Sequence, residues 1–385
     1  MTTQTGAPAV SRIEALDVLR GFALGGILMV NITVMSTPGG FADGPAQSLI
    51  AAIFHNKFYV IFSFLFGYSL TMQIRSAKRA GASPRARTVR RCLALMAIGL
   101  MHYVFFFSGD ILFCYGVMGL ILLSLSSLRP RTALIAAAVP FSISVIAITV
   151  LGMIKSAAAT GSAEDAETVE TARELAAMQS GWLDAAHFRW EDFTDNIGGF
   201  LLLSLLGVLP LFLVGLAAGK VRLLERPERY RPLLRPIQWI GFGVAAPISV
   251  LSAVTEMPIL TGSNLLASPV LAAAYGATVL RVMDRHPSIT RVLAPAGKLA
   301  ATNYIGQSVV TAIIFTGYGF ALFGRLSDWA VLGIAASVYA IQLAVSAWWV
   351  RRHRYGPVEW VLRMATYGRR ARDDHQAPPA ASGLA

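Results

Sequence analysis

Ten stretches of mostly apolar residues, each long enough or nearly long enough to cross a bilayer, leave this chain few folds to choose from. They run over about 14–34, 57–75, 91–108, 110–128, 132–154, 197–219, 237–256, 265–282, 298–318 and 328–350. A helix rising 1.5 Å per residue needs roughly 17–25 residues to span the hydrocarbon core. No water is present there to pair a bare backbone amide, so apolar runs of this length become helices. Composition agrees: 55% of the 385 residues are hydrophobic and 14% are charged, against about 25% charged in a soluble domain. The expected fold is all-α, a polytopic transmembrane helical bundle of about ten helices.

Loop charge orients the bundle, because Lys and Arg favour the cytoplasmic side. Arg75, Lys78, Arg79, Arg85, Arg87, Arg90 and Arg91 follow the second span with no acid among them. Arg129 and Arg131 follow the fourth span; Lys220, Arg222, Arg226, Arg229, Arg231 and Arg235 follow the sixth. Arg281, Arg285, Arg291 and Lys298 follow the eighth, and Arg351-Arg352 open the tail. Alternate connections are basic, which predicts both termini in the cytoplasm. The first span lacks a preceding basic segment and a small-residue cleavage site, so it is expected to be retained as a helix.

The longest connection, 155–196, is opposite in character: nine acids against three bases leave it at −6, so with a formal net charge of +12 the rest of the chain carries +18. The sequence pI near 10.1 therefore reports the orientation signal and attraction to anionic membrane lipids, not nucleic-acid binding. Residues 163–178 are expected to form a short surface helix, with Trp182 and Trp190 marking an interfacial return. That segment reads as a solvated connector or as a lid or partner surface. The domain organisation is then a disordered cytoplasmic N-terminus (1–11), helices 1–5 (12–154), an acidic extracytoplasmic loop (155–196), helices 6–10 (197–350) and a basic cytoplasmic tail (351–385). Within the tail, Pro357, Glu359 and Trp360 predict an interfacial helix, and residues from about 371 onward read as disordered.

Polar residues inside the spans are the candidate functional groups, since each is costly in a bilayer. Asp17, Arg20 and Asn31 share one face of the first helix: at 100° per residue, Asn31 lies about 20° from Arg20 and about 40° from Asp17. Two readings stand, a snorkelling anchor and a polar face turned into the protein. His102, Asp110 and Tyr115 fall on adjoining spans joined by a tight turn, where they form either a base with its orienting partner or a hydrogen-bonded clamp. His55 and Lys57 stand at the outward end of the second span before an aromatic run. Asn303 and Gln307, four residues apart on one stripe, either glue helices together or bind a polar substrate. Cys92 and Cys114 lie in apolar spans and read as buried thiols, and no nucleotide-binding glycine loop, zinc spacing or nucleophile elbow occurs. Glycine-bearing helices leave room for a homodimer without specifying one.

Leu16-Asp17-Val18-Leu19-Arg20-Gly21-Phe22-Ala23-Leu24 with Asn31, Lys57-Phe58 before Phe62-Ser63-Phe64-Leu65-Phe66-Gly67, and His102 with Gly109-Asp110-Ile111-Leu112 and Tyr115 form one set of motifs. Thr302-Asn303-Tyr304, Gln307-Ser308 and Tyr355-Gly356-Pro357-Val358-Glu359-Trp360 complete it. With these blocks the chain resembles the YeiB-like family of bacterial membrane proteins, the group called domain of unknown function 418. That family is distantly similar to transmembrane acyltransferases, of the acyltransferase-3 and heparan-glucosaminide acetyltransferase types. The resemblance implies a multi-pass protein of the bacterial inner membrane that moves an acyl group from a cytoplasmic donor, acyl-CoA, to a small-molecule or lipid-linked acceptor. It implies Arg20 on an anionic donor group, Asn31 and Gln307 on an acceptor, and His102 with Asp110 managing the proton; Asp17, Lys57, Tyr115 and Asn303 are further candidates for the substrate site. In the acyltransferase-3 type an arginine is followed after ten residues by a catalytic histidine; here Asn31 holds that position. A transporter or exporter using the same polar face is the alternative.

Overall fold

The computed structural model describes residues 13–157, 161–255 and 257–368, and every regular element among them is helical. In chain order these are α1 (Glu14–Ser36), α2 (Pro45–Ile53), α3 (Phe58–Arg79), α4 (Pro84–Phe105), α5 (Leu112–Ser124), α6 (Pro130–Ala157) and α7 (Gly161–Gln179). Then come α8 (Trp182–Lys220), α9 (Pro227–Ile240), α10 (Ala246–Val254), α11 (Pro258–Arg285), α12 (Pro287–Lys298), α13 (Ala300–Phe315), α14 (Asp328–Trp349) and α15 (Pro357–Tyr367). Among the described residues eight helical stretches are long and apolar enough to cross a membrane, and two further apolar helices, Leu112–Ser127 and Ala300–Phe315, are shorter. The expected ends at 1–11 and 371–385 lie outside the described residues.

Close helix crossings hold the bundle. A methyl group on Gly67 of α3 would sit 2.0 Å from the Phe212 carbonyl oxygen, and one on Gly215 of α8 would sit 2.0 Å from that of Phe64. The two helices therefore touch backbone to backbone at a pair of reciprocal glycines, the packing that small residues permit where water gives no hydrophobic drive. Phe212, Leu65 and Tyr68 are fully buried around this crossing. On the other side of the core α1 meets α12, where a methyl on Gly297 would lie 1.7 Å from the Asp17 carbonyl oxygen.

The two ends of the bundle differ in charge. At one end Arg75 pairs with Glu225, and the Lys220 ammonium donates to the Leu128 carbonyl. Those bonds draw together the basic connections after α3, α5 and α8. At the other end, the stretch expected as a loop over 155–196 is largely helical: α7 is followed by α8, which starts at Trp182 and not near 197. Alanine and glutamate, both strong helix formers, dominate the stretch, and its apolar side has something to dock on. Leu175 and Met178 pack with Ile32, Phe41 and Phe323. The Gly317 N–H donates to the Met178 carbonyl at 2.7 Å, Gln179 Nε2 to the Phe323 carbonyl at 3.2 Å, and the Gly39 N–H to Glu174 Oε2 at 3.1 Å. This acidic helix thus caps the turns after α1 and α13.

Candidate functional site

Arg20 shares the inner α1 face with Asp17, and two side chains hold it. Its guanidinium lies 3.2 Å from Asp17 Oδ1 and donates to Ser69 Oγ on α3 at 2.5 Å, while Ser69 passes its own proton to the Leu65 carbonyl at 2.7 Å. Asp17 is buried behind it. The arginine is thereby held in place by an anion and a hydroxyl, and its remaining surface faces a cavity.

That cavity, about 740 Å³, is walled by α1, α3, α4, α5, the end of α12, α13, α15 and the α4–α5 turn. On α3 its lining runs from Phe58 to Gln73, a distance of about 22 Å at the helical rise. One end collects Arg20, Arg91, Lys298, Arg354 and Arg363, with Glu359 as the acidic member. The other end is reached by His55, Asn56, Gly109 and Ile111, and Phe62, Phe66, Tyr115 and Tyr304 form the aromatic middle. Asn31 lines the same space. Five cations clustered at one mouth suit an anionic group such as a phosphate or pyrophosphate, whereas the apolar middle suits an uncharged arm.

Next to this middle lies a buried pair. His102 Nδ1 is 2.8 Å from Asp110 Oδ1, and the other carboxylate oxygen accepts the Phe113 N–H at 2.9 Å. Both side chains are fully buried. Among the described residues His102 Nε2 has no hydrogen-bond partner. A histidine oriented by a carboxylate through one ring nitrogen, with its second nitrogen unengaged, has the arrangement of a general base and its orienting group. The Tyr304 ring stands 5.3 Å from the His102 ring, centroid to centroid, and lines the cavity. Tyr304 is therefore the partition between the pair and the cavity.

The sequence candidates divide between the lining and the scaffold. Arg20, Asn31 and Tyr115 face the cavity, and the Tyr115 hydroxyl lies 2.6 Å from Ser63 Oγ. Asp17, His102 and Asp110 stand one layer behind it. Lys57 is buried below the far end, where its ammonium donates to the Ala51 carbonyl at 2.8 Å. Asn303 and Gln307 are tied into the helix contacts: Asn303 Nδ2 reaches the Ala296 carbonyl at 3.0 Å and Ser346 Oγ at 2.9 Å. Gln307 Nε2 donates to Gln342 Oε1 at 2.8 Å, and Gln342 Nε2 donates to the Asn303 carbonyl at 2.8 Å. Arg91, Lys298, Arg354, Arg363 and Tyr304 line the cavity but are not among the site residues the sequence points to, and His55, noted there beside Lys57, lines it as well. The arginines were hidden in the orientation signal, where any loop cation looks like any other, and Tyr304 read as part of an amide motif.

Comparison with known proteins adds a family. The family described as "Protein of unknown function (DUF418)" matches residues 218–369, and the one described as "Heparan-alpha-glucosaminide N-acetyltransferase, catalytic" matches residues 12–242. The chain is 31% identical over 387 residues to the uncharacterized protein YxaH of Bacillus subtilis, covering 92% of this chain and 94% of that one. It is 28% identical over 386 residues to an uncharacterized 39.9 kDa protein encoded in the amylase 3′ region of Bacillus acidopullulyticus, covering 93% of this chain and 95% of that one. It is 25% identical over 386 residues to the uncharacterized protein YeiB of Escherichia coli, covering 93% and 97%. The cavity and its buried histidine pair are thus carried by a transmembrane acyltransferase-like protein that belongs to the DUF418 family of YxaH and YeiB.

Proposed function

We propose that this protein transfers an acyl group from a cytoplasmic acyl-CoA to a hydroxyl or amine of a small-molecule or lipid-linked acceptor, at or across a bacterial inner membrane. In this topology the eight long helices and the two short ones make ten crossings, with both termini cytoplasmic. One observation carries the proposal: a single cavity joins a mouth of five cations to a far end about 22 Å away along α3. Its volume falls in the range of roughly 300–1,000 Å³ typical of small-molecule sites. Arg20, Arg91, Lys298, Arg354 and Arg363 would hold the donor's phosphates, and the aromatic middle would take its uncharged arm. Asn31 would orient the acceptor, with Tyr115 beside it and Asp17 steadying Arg20. Asn303, Gln307 and Lys57 would hold the walls in place.

The chemistry then needs one proton acceptor. The acceptor O–H or N–H attacks the acyl carbon, the carbon–sulfur bond breaks, and the thiolate leaves with the donor. His102 Nε2 takes the acceptor's proton once the Tyr304 ring turns aside, and Asp110 holds the opposite nitrogen and stabilises the imidazolium. A transporter or exporter of a polar or lipid-linked molecule would use the same cavity, because its lining reaches residues near both ends of α3. The test is release of free CoA from acetyl-CoA by the purified full-length protein in vesicles. His102→Ala abolishes release with the fold intact if acyl transfer is right. Movement of an unmodified solute without CoA release selects transport instead.

A further inference from the structure

A second, smaller recess lies on the outside of the bundle, away from the cavity. About 460 Å³ in volume, it is framed by Arg231, Leu234 and Arg235 of α9 and by Arg281, Asp284 and Arg285 of α11. On each helix the two arginines are four residues apart, so both pairs project from one face toward the shared groove. The single acid is engaged: Arg231 Nε and Nη2 grip the Asp284 carboxylate in a two-pronged bond at 3.0 and 3.1 Å. Arg281 is aimed by an amide, donating to Gln238 Oε1, while Gln238 Nε2 is fixed on Thr278 Oγ1 at 2.7 Å. Among the described residues neither Arg235 nor Arg285 has a carboxylate within ion-pair distance. Beyond the Arg231–Asp284 pair, three further cations, Arg235, Arg281 and Arg285, therefore line an open recess.

The surface continuing from this recess along α9 is apolar and uncovered. Trp239 is 79% exposed, and Ile240, Phe242 and Val244 follow it as exposed side chains. A cluster of guanidinium groups at the end of such a surface matches a molecule with an anionic head and hydrocarbon tails. We infer that this recess is a binding site for the headgroup of an anionic phospholipid, with its acyl chains lying along α9 and the turn that follows it. Arg235, Arg281 and Arg285 contact the phosphate oxygens, and Gln238 holds Arg281 in the orientation that lets it do so. Guanidinium forks suit this task better than ammonium groups, since each presents two parallel donors to a phosphate. The inference is independent of what the main cavity does.

Native mass spectrometry of the full-length protein in neutral detergent tests it, with cardiolipin, phosphatidylcholine and inorganic phosphate as the three probes. The wild type is expected to hold cardiolipin roughly tenfold or more tightly than phosphatidylcholine, as three further surface cations imply. The combined Arg235→Gln, Arg281→Gln and Arg285→Gln variant is expected to lose that preference, and Arg129→Gln with Arg131→Gln, on a different basic connection, to keep it. An unchanged preference in the triple variant overturns the site. So does complete displacement of the lipid by inorganic phosphate, which would make the recess a free-phosphate site. If the triple variant unfolds at a lower temperature than wild type without lipid, the exposed Arg285→Gln change alone is read. Weakened cardiolipin binding in it supports the site, and unaltered binding overturns it.

Discussion

The Glu359 carboxylate of α15 takes both donors of Thr302 at the start of α13, the backbone N–H at 3.1 Å and the hydroxyl at 2.5 Å. It also accepts the Ala301 N–H at 2.7 Å, and Thr302 Oγ1 in turn accepts the Val358 N–H at 3.1 Å. Two helix starts cap each other, with the negative charge placed where the α13 dipole favours it. This clasp is what makes the chain after the last long helix a wall of the cavity. Glu359→Ala should cost about 1–2 kcal/mol through the amides left unpaired, read as a lower unfolding temperature. Because α15 carries Arg363 into the cavity mouth, the same change should raise the KM for acyl-CoA more than it lowers kcat.

Asp110→Asn separates a catalytic pair from a structural clamp. The amide keeps the size of the side chain and can still accept the Phe113 N–H. It cannot stabilise a charged imidazole on His102. Acyl transfer should fall by roughly 10²–10⁴-fold in kcat with little change in KM, and circular dichroism should show the helix content retained. A clamp alone would lower the unfolding temperature and leave turnover per folded molecule untouched.

Gly67→Ala should disrupt the α3–α8 crossing. Its methyl would sit 2.0 Å from the Phe212 carbonyl oxygen, backbone that has no rotamer to change. The helices must separate, at a cost of about 1–3 kcal/mol. Gly198→Ala, at an open position on the same α8, should be without effect in the same thermal unfolding measurement.

Glu174 gives the acidic cap a pH response. Burial raises its carboxyl above the ordinary value, more than the Gly39 N–H lowers it, with Asp192 and Glu170 adding to the rise. A carboxyl raised in the folded state favours folding most when protonated, so its contribution is present below the unfolded value and is lost as pH rises through the folded one. Hydrogen exchange of amides in α7 should therefore be slower at mildly acidic pH than at neutral pH, after correction for intrinsic rates. Glu174→Gln should flatten the difference.

The helical bundle was legible because each span is a local fact: about twenty apolar residues admit one backbone solution in lipid. The His102–Asp110 pair was legible for a similar reason, since the short turn between α4 and α5 brings the two residues together. The cavity was not. Its walls come from α1, α3, α4, α5, α12, α13 and α15, and no segment alone reveals that Arg91, Arg354 and Arg363 converge on Arg20. Docking of α7 was hidden differently, because much of it runs through backbone groups such as the Gly317 N–H and the Met178 carbonyl. Asn303 and Gln307 were correctly placed on one stripe, but their sequence could not name Ser346 or Gln342, which lie on α14, as their partners.

Single-turnover acyl transfer by the purified protein in vesicles, followed with acetyl-labelled CoA supplied on the side of the basic mouth, tests the central claim most directly. Label should leave CoA and appear on an acceptor; Arg20→Gln should weaken donor binding, and His102→Ala should stop transfer while the protein stays folded. Label that remains on CoA in the wild type while a solute crosses unmodified would contradict acyl transfer and leave the cavity as a transport path.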